Sequence, residues 1–175
     1  EVKVFYDAGA PMNASKAVVR THIGNKPTEY LKGKPSLILS HWDKDHYHAL
    51  VGMSDNELRC FSSFICPEII PNITSRILYG RILSVLGFNN IFTVSNIPKT
   101  RGIPAKLGLI SPIRNKLMIF NSTYNKDRNQ SGIILAIKTS NSSIIMPGDC
   151  HYNLLSNCIL PLLNYTHKHN LVVPH

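Results

Sequence analysis

Nowhere in this chain do apolar residues run on for the ~18 positions that a bilayer-spanning helix needs, so no transmembrane segment is expected. Nor does it begin like a secretory signal: Glu1-Val2-Lys3-Val4 leads straight into a strand pattern. Cysteine is sparse. The four present, Cys60, Cys66, Cys150 and Cys158, lack the Cys-x-x-Cys spacing of a zinc knuckle and are too few for a disulfide-stapled secreted scaffold. Reduced thiols are expected, and with them the cytoplasm; bridges Cys60–Cys66 and Cys150–Cys158 are the alternative. Acid is the other shortage, with 10 Asp and Glu against 19 Lys and Arg and a formal charge of +9. That balance favours anionic partners: nucleic acid, nucleotides or acidic membrane surfaces. Seven of the cations (Lys99, Arg101, Lys106, Arg114, Lys116, Lys126 and Arg128) crowd into one segment broken by prolines and glycines, with no carboxylate before Asp127. Such a segment is either a binding lid or a mobile surface loop.

What is there suits one domain, residues 1–175, with a core of ordinary size, since 43% of residues are hydrophobic. Because the chain opens on a strand pattern and stops on Val172-Val173-Pro174-His175, it reads as a trimmed domain of something longer, with fused or partner domains to be expected. Apolar alternation and β-branched runs predict strands over 2–6, 36–40, 58–64, 91–94, 107–110 and 117–120. Helical spacing predicts helices over 14–20, 46–53 and 73–86, the last with a core-facing stripe that includes Ile73 and Ile77 and a stop at Gly87. Residues 132–139 and 143–146 read as a hairpin. An amphipathic helix over 152–163 follows, with His167 and His169 near its end, and then a last strand over 171–173.

The chemistry concentrates in Leu37-Ile-Leu-Ser-His41-Trp-Asp43-Lys-Asp45-His46-Tyr-His48-Ala-Leu50. A strand stops, four potential metal ligands follow within six residues, and apolar residues then resume at helical spacing. Imidazole and carboxylate are the usual ligands of zinc and of harder ions such as manganese. His41 and Asp43, two apart, point the same way in an extended loop; Asp45 and His46 can reach a second centre close by. The plain alternative is that Asp43 or Asp45 caps the helix and the histidines lie near it by accident.

His41-x-Asp43-x-Asp45-His46 resembles the metal-binding signature of the metallo-β-lactamase-fold hydrolases, usually His-x-His-x-Asp-His. The Asp at its third position is similar to the variant in the hydrolase domains of ComEC-type DNA-uptake proteins. The resemblance implies an α+β fold, an αββα sandwich of two mixed β-sheets flanked by helices. It also implies that Asp7, in the Asp-x-Gly closing the first strand, supports the metal loop by bonding a ligand histidine's other nitrogen. Asn129 and Ser131, just ahead of the hairpin, match an Asn/Ser pair of that group; they either hold a substrate phosphate or cap a turn. Asp149 in Gly148-Asp149 matches the acid that bridges two metals, and His175 matches the final ligand.

Assembled, the resemblance implies one or two divalent ions, Zn2+ or Mn2+, one taking Asp45, His46 and His175, the other His41 and Asp43, with Asp149 between them. Asp45 and Asp149 then belong to the catalytic set, and His151 or His48 protonates the leaving oxygen. One departure stands out: no histidine occurs between His48 and His151, where many members supply another ligand. With Asp43 in a histidine's place the set is harder, which tips it toward manganese. Positive charge and the Asp variant lean toward a phosphodiesterase or nuclease acting on DNA or RNA. The alternatives are hydrolysis of a small acyl or thioester compound, and a degraded site kept as a binding module. Lys44 either touches substrate phosphate or is solvated. Trp42 and Tyr47 either stack on a base or pack beneath the loop.

Overall fold

In the computed structural model of this chain, the residues described are 4–24, 29–94, 117–121, 132–138, 140–150, 155 and 168–172. The chain divides into two compact units, Glu1–Thr93 and Val94–His175.

The first unit carries a four-stranded sheet in the order β1 (Val4–Tyr6), β2 (Ser36–Ile38), β3 (Ser63–Pro67), β4 (Ile91–Val94). β1 pairs parallel with β2 (Tyr6 opposite Ile38), and β2 parallel with β3 (Ile38 opposite Ile65). The crossovers supply the helices α1 (Lys16–Ile23), α2 (Lys44–Gly52), α3 (Asp55–Leu58) and α4 (Ile73–Leu86). Each strand of a parallel pair needs such a crossover, and its helices cover the sheet, which is why β2 and β3 are buried along their whole length. Leu37, Leu39, Trp42, Tyr47, Leu50, Leu58, Phe64, Leu78 and Ile82 form the core of this unit.

Two expectations fail here. Residues 58–64 were expected as one strand, but Leu58 ends α3 and β3 starts only at Ser63. The cause is a capping box: Ser54 Oγ accepts the Glu57 N–H while the Glu57 carboxylate accepts the Ser54 N–H. On α4, Leu78 and Ile82 are buried, but Ile73 and Ile77 are 70% and 67% exposed, so the apolar stripe is only partly core-facing.

The second unit carries another four-stranded sheet, ordered β5 (Leu117–Asn121), β6 (Ile133–Lys138), β7 (Ser142–Met146), β8 (Lys168–Leu171). β5–β6 and β6–β7 are antiparallel, and the second pair is the expected hairpin. β8 runs parallel to β7 with Leu171 opposite Ile145, so this sheet is mixed. It starts earlier than the sequence predicts: Lys168, His169 and Asn170 are strand, not the end of a helix. The predicted strand over 107–110 and the predicted helix over 152–163 lie outside the described residues, apart from Leu155 in the latter. Among the described residues no helix is long and apolar enough to cross a membrane. Cys60 and Cys66 are free thiols, so the bridge between them is absent.

Candidate metal centre

Parallel strands leave their carboxyl ends on one edge of a sheet, where ligand sites of open α/β sheets form. On the first sheet that edge carries Asp7, one residue past β1, and the Ser40-His41 step that follows β2. The Asp7 N–H donates to the Ile38 carbonyl (2.8 Å), which fixes the two strand ends against each other. The Asp7 backbone sits in the left-handed region, φ 62°, a conformation that Asp tolerates better than most residues.

From there the Asp7 carboxylate reaches across to the loop. Its Oδ1 accepts the Ser40 N–H at 2.7 Å, and its Oδ2 accepts the Ser40 hydroxyl at 2.8 Å. Oδ2 also lies 2.9 Å from His46 Nδ1. An ionised carboxylate only accepts, so His46 Nδ1 is the donor, and the neutral ring then has its lone pair on Nε2. Ser40 Oγ in turn lies 2.9 Å from His41 Nδ1 and 3.2 Å from His46 Nδ1. The two rings stand 4.0 Å apart, tilted by 53°, and both are buried.

On the far side of each ring stands an acid. His41 Nε2 is 3.5 Å from Asp43 Oδ2, and His46 Nε2 is 3.8 Å from Asp45 Oδ2. Asp43 occupies the N-cap position of α2 yet makes no side-chain capping bond, so the plain helix-cap reading of Asp43 does not describe its carboxylate.

A strap of backbone holds this arrangement from behind. The Ala8 N–H donates to the His46 carbonyl, the Ala10 N–H to that of Asp45, and the Ala49 N–H to that of Ala8. Gly9 lies so close that a Cβ there would collide with the Asp45 carbonyl. Its role is therefore close approach; the left-handed backbone expected of a turn glycine falls on Asp7 instead. Asp7–Pro11 also line one wall of an apolar cavity of about 410 Å³, walled further by Val18, Val19 and Met53.

The structure thus gathers Asp7, His41, Asp43, Asp45 and His46 within the first unit. It also brings in Ser40, which no sequence motif flags and which only hydrogen-bond geometry reveals. Other expected residues are tied elsewhere. Lys44 Nζ donates to the Met12 carbonyl at 2.5 Å, bracing the strap. His48 is buried with Nδ1 2.8 Å from the Pro11 carbonyl, a core partnership unlike that of a proton donor. Trp42 and Tyr47 are each 2% exposed; Trp42 packs edge-on against Tyr47, Phe64 and Tyr79 and donates from Nε1 to the Pro67 carbonyl. Both therefore pack beneath the loop, and neither stacks on a base.

In the second unit, Asp149 sits in a tight turn after β7. Gly148 takes φ 59° there, and the Cys150 N–H closes the turn on the Pro147 carbonyl (3.3 Å). A turn whose first central residue has positive φ calls for glycine, which accounts for the Gly-Asp pair locally. His151, His175, Asn129, Ser131 and the basic segment from Lys99 to Lys116 and Lys126 to Arg128 lie outside the described residues.

The donor set of the first unit fits a divalent cation. A ligand-capable nitrogen of His41 and one of His46 lie within 4.8 Å of each other, a spacing that one ion, or a pair about 3.5–4 Å apart, can span. Hard carboxylates adjoin borderline imidazoles, the mixture that zinc and manganese accept. By contrast Glu57, elsewhere in the unit, is closed upon itself. Burial raises the pKa of its carboxyl, but bonds from Arg20 Nη1 (2.6 and 2.7 Å) and from Ser54 outweigh that and hold it below the usual glutamate range.

Comparison with solved structures finds a mutant of the CmlA beta-hydroxylase, 15% identical with a TM-score of 0.37, the match covering 66% of this chain. It covers 21% of that protein, so the chain spans about a fifth of its length. No protein-family model matches the chain. No curated protein matches it either. A likeness that distant leaves the functional reading to rest on the side chains themselves.

Proposed function

We propose that this chain is a metal-dependent hydrolase of the metallo-β-lactamase kind, acting as a phosphodiesterase or nuclease on DNA or RNA. The observation that carries the reading is a pair of buried imidazoles, each with its Nδ1 bonded to the Asp7–Ser40 pair and its Nε2 beside a carboxylate. That is how histidines are prepared for metal: a second partner orients the ring and leaves one nitrogen for the ion.

In this reading His41, Asp43, Asp45 and His46 hold one or two Zn2+ or Mn2+ ions, and Asp149 and His175 complete the set. The register of the second sheet supports the last two: Ile145 and Leu171 face each other in a parallel pair, and Asp149 and His175 each follow four residues later in sequence. A bound divalent ion supplies a water of lowered pKa and a Lewis acid for the developing charge. Asp7 keeps the His46 ring fixed, and the strap across Asp45 and His46 keeps the loop from relaxing. His151 is the proposed proton donor to the leaving oxygen. Lys44 reaches a phosphate only by leaving the Met12 carbonyl, and Asn129 and Ser131 are the other proposed phosphate contacts. The charge of +9 supports an anionic polymer as substrate, and Asp43 in place of a histidine supports manganese and the ComEC-like group.

The test uses purified chain stripped with chelator and reloaded with Mn2+ or Zn2+. Single- and double-stranded DNA and RNA are expected to be cleaved with Mn2+, with affinity falling steeply as salt rises. Asp45→Ala and Asp149→Ala abolish cleavage while the protein still folds. Nucleic acids left intact while a thioester is hydrolysed would overturn the substrate assignment. Failure of the wild-type chain to bind either ion would overturn the whole reading.

A further inference from the structure

We propose that Ser40 is a positioning residue that fixes His41 in the one tautomer a metal ligand needs. The inference rests on the metal-site reading above and extends it to a residue outside every motif of the sequence.

The argument is an inventory of protons. Ser40 Oγ has one hydrogen and faces three partners: Asp7 Oδ2 at 2.8 Å, His41 Nδ1 at 2.9 Å and His46 Nδ1 at 3.2 Å. The carboxylate can only accept, so the shortest of the three contacts takes the hydroxyl hydrogen. What Ser40 then offers the rings is lone pairs. His41 Nδ1 can meet a lone pair only by donating, which puts the proton of the neutral ring on Nδ1 and the lone pair on Nε2, the nitrogen beside Asp43. His46 has its own guarantee, a direct bond to Asp7. For His41 the structure gives Nδ1 no contact with Asp7, so the carboxylate acts on this ring through the serine. One acid therefore sets two histidines, the nearer by contact and the farther by relay. The Ser40 N–H also donates to Asp7 Oδ1, so a side-chain change leaves one tether between loop and acid in place. Ser40 is 1% exposed, which keeps water from taking over the hydroxyl's role.

The experiment compares wild type, Ser40→Ala and Ser40→Thr in the full chain. Imidazole nitrogen shifts of the metal-free protein at pH 8 report the tautomers, and calorimetric titration with Zn2+ and with Mn2+ reports affinity. In wild type both His41 and His46 are expected as the Nδ1–H form. In Ser40→Ala, His41 shifts toward the Nε2–H form while His46 does not, and Zn2+ binding weakens about 10–100-fold, the usual cost of losing a ligand's outer partner. Ser40→Thr, which keeps the hydroxyl, restores both. The proposal is overturned if wild-type His41 carries its proton on Nε2, a result that needs no variant to fold. It is equally overturned if Ser40→Ala leaves tautomer and affinity unchanged. If wild type binds neither ion yet His41 still responds to Ser40→Ala, the hydrolase reading fails and the hold of Ser40 on His41 stands.

Discussion

Two neighbouring helices of the first unit begin in opposite ways. α3 starts at Ser54 with both halves of a capping box made, and its acid, Glu57, is further closed by Arg20. α2 starts at Asp43, as competent a cap as serine, but its carboxylate makes no capping bond and lies beside His41. α1 and α4 follow the α3 pattern, capped by Ser15 and Asn72. A side chain that forgoes the bond its position offers is held by something else. The lesson is that one polar network serves to start a helix, whereas the other runs Asp7, Ser40, His41, Asp43 and sets ligand-type atoms side by side.

Four experiments break or sharpen that contrast, from the largest effect to the smallest. His46→Ala removes a proposed ligand, so metal affinity measured by calorimetry falls by more than ~100-fold, above the range for outer partners. The equivalent loss for the acid of α3, removal of its α1 partner in Arg20→Ala, leaves metal affinity unchanged. Gly9→Ala forces a methyl against the Asp45 carbonyl and destabilises the fold by about 1–3 kcal/mol in denaturant unfolding, as overpacking does. Ser54→Ala costs about 0.5–2 kcal/mol, a lost cap, with no change in metal affinity. Asp43→Ala does the reverse: no cap is lost, so stability falls less than in Ser54→Ala, while metal binding weakens. A stability loss at Asp43 equal to that at Ser54 would erase the distinction between the two helices.

The fourth is a pH effect. The carboxyl of Glu57 is held below its ordinary value of about 4.3, so its stabilising contribution is complete above that pH. It is lost as pH falls through the depressed value, because protonation then removes the bonds from Arg20 and Ser54. Acid titration of unfolding should show this limb in wild type and a shallower one in Glu57→Gln.

Much of the scaffold around the loop was legible in the sequence because local signals agreed there. Strand character over 36–40, of which β2 takes Ser36–Ile38, ligands from His41 to His46 and helical spacing afterwards all pointed one way, and α4 and the β6–β7 hairpin were equally plain. The misses have physical causes. Leu58 is buried whether it ends a helix or lies in a strand, so its apolarity could not decide between them; the Ser54–Glu57 pair could have. Lys168-His169-Asn170 has no apolar alternation, and β8 exists through backbone pairing to β7, which polar side chains do not announce. Trp42 looked available to a substrate because it sits among ligands, but loop position does not fix side-chain direction, and the ring turns down into the core. Ser40 stayed invisible because serine is common and its worth here lies in three distances.

The backbone at Asp7 sets a double filter on what evolution or a library can place there. A left-handed φ of 62° admits glycine, asparagine and aspartate most readily, and discards bulky or branched side chains. The loop beyond asks for two acceptor oxygens and a negative charge, which glycine and asparagine cannot give. Only one amino acid passes both screens, so sequences that keep the shape of this corner but not its acid should be read as having retired the site.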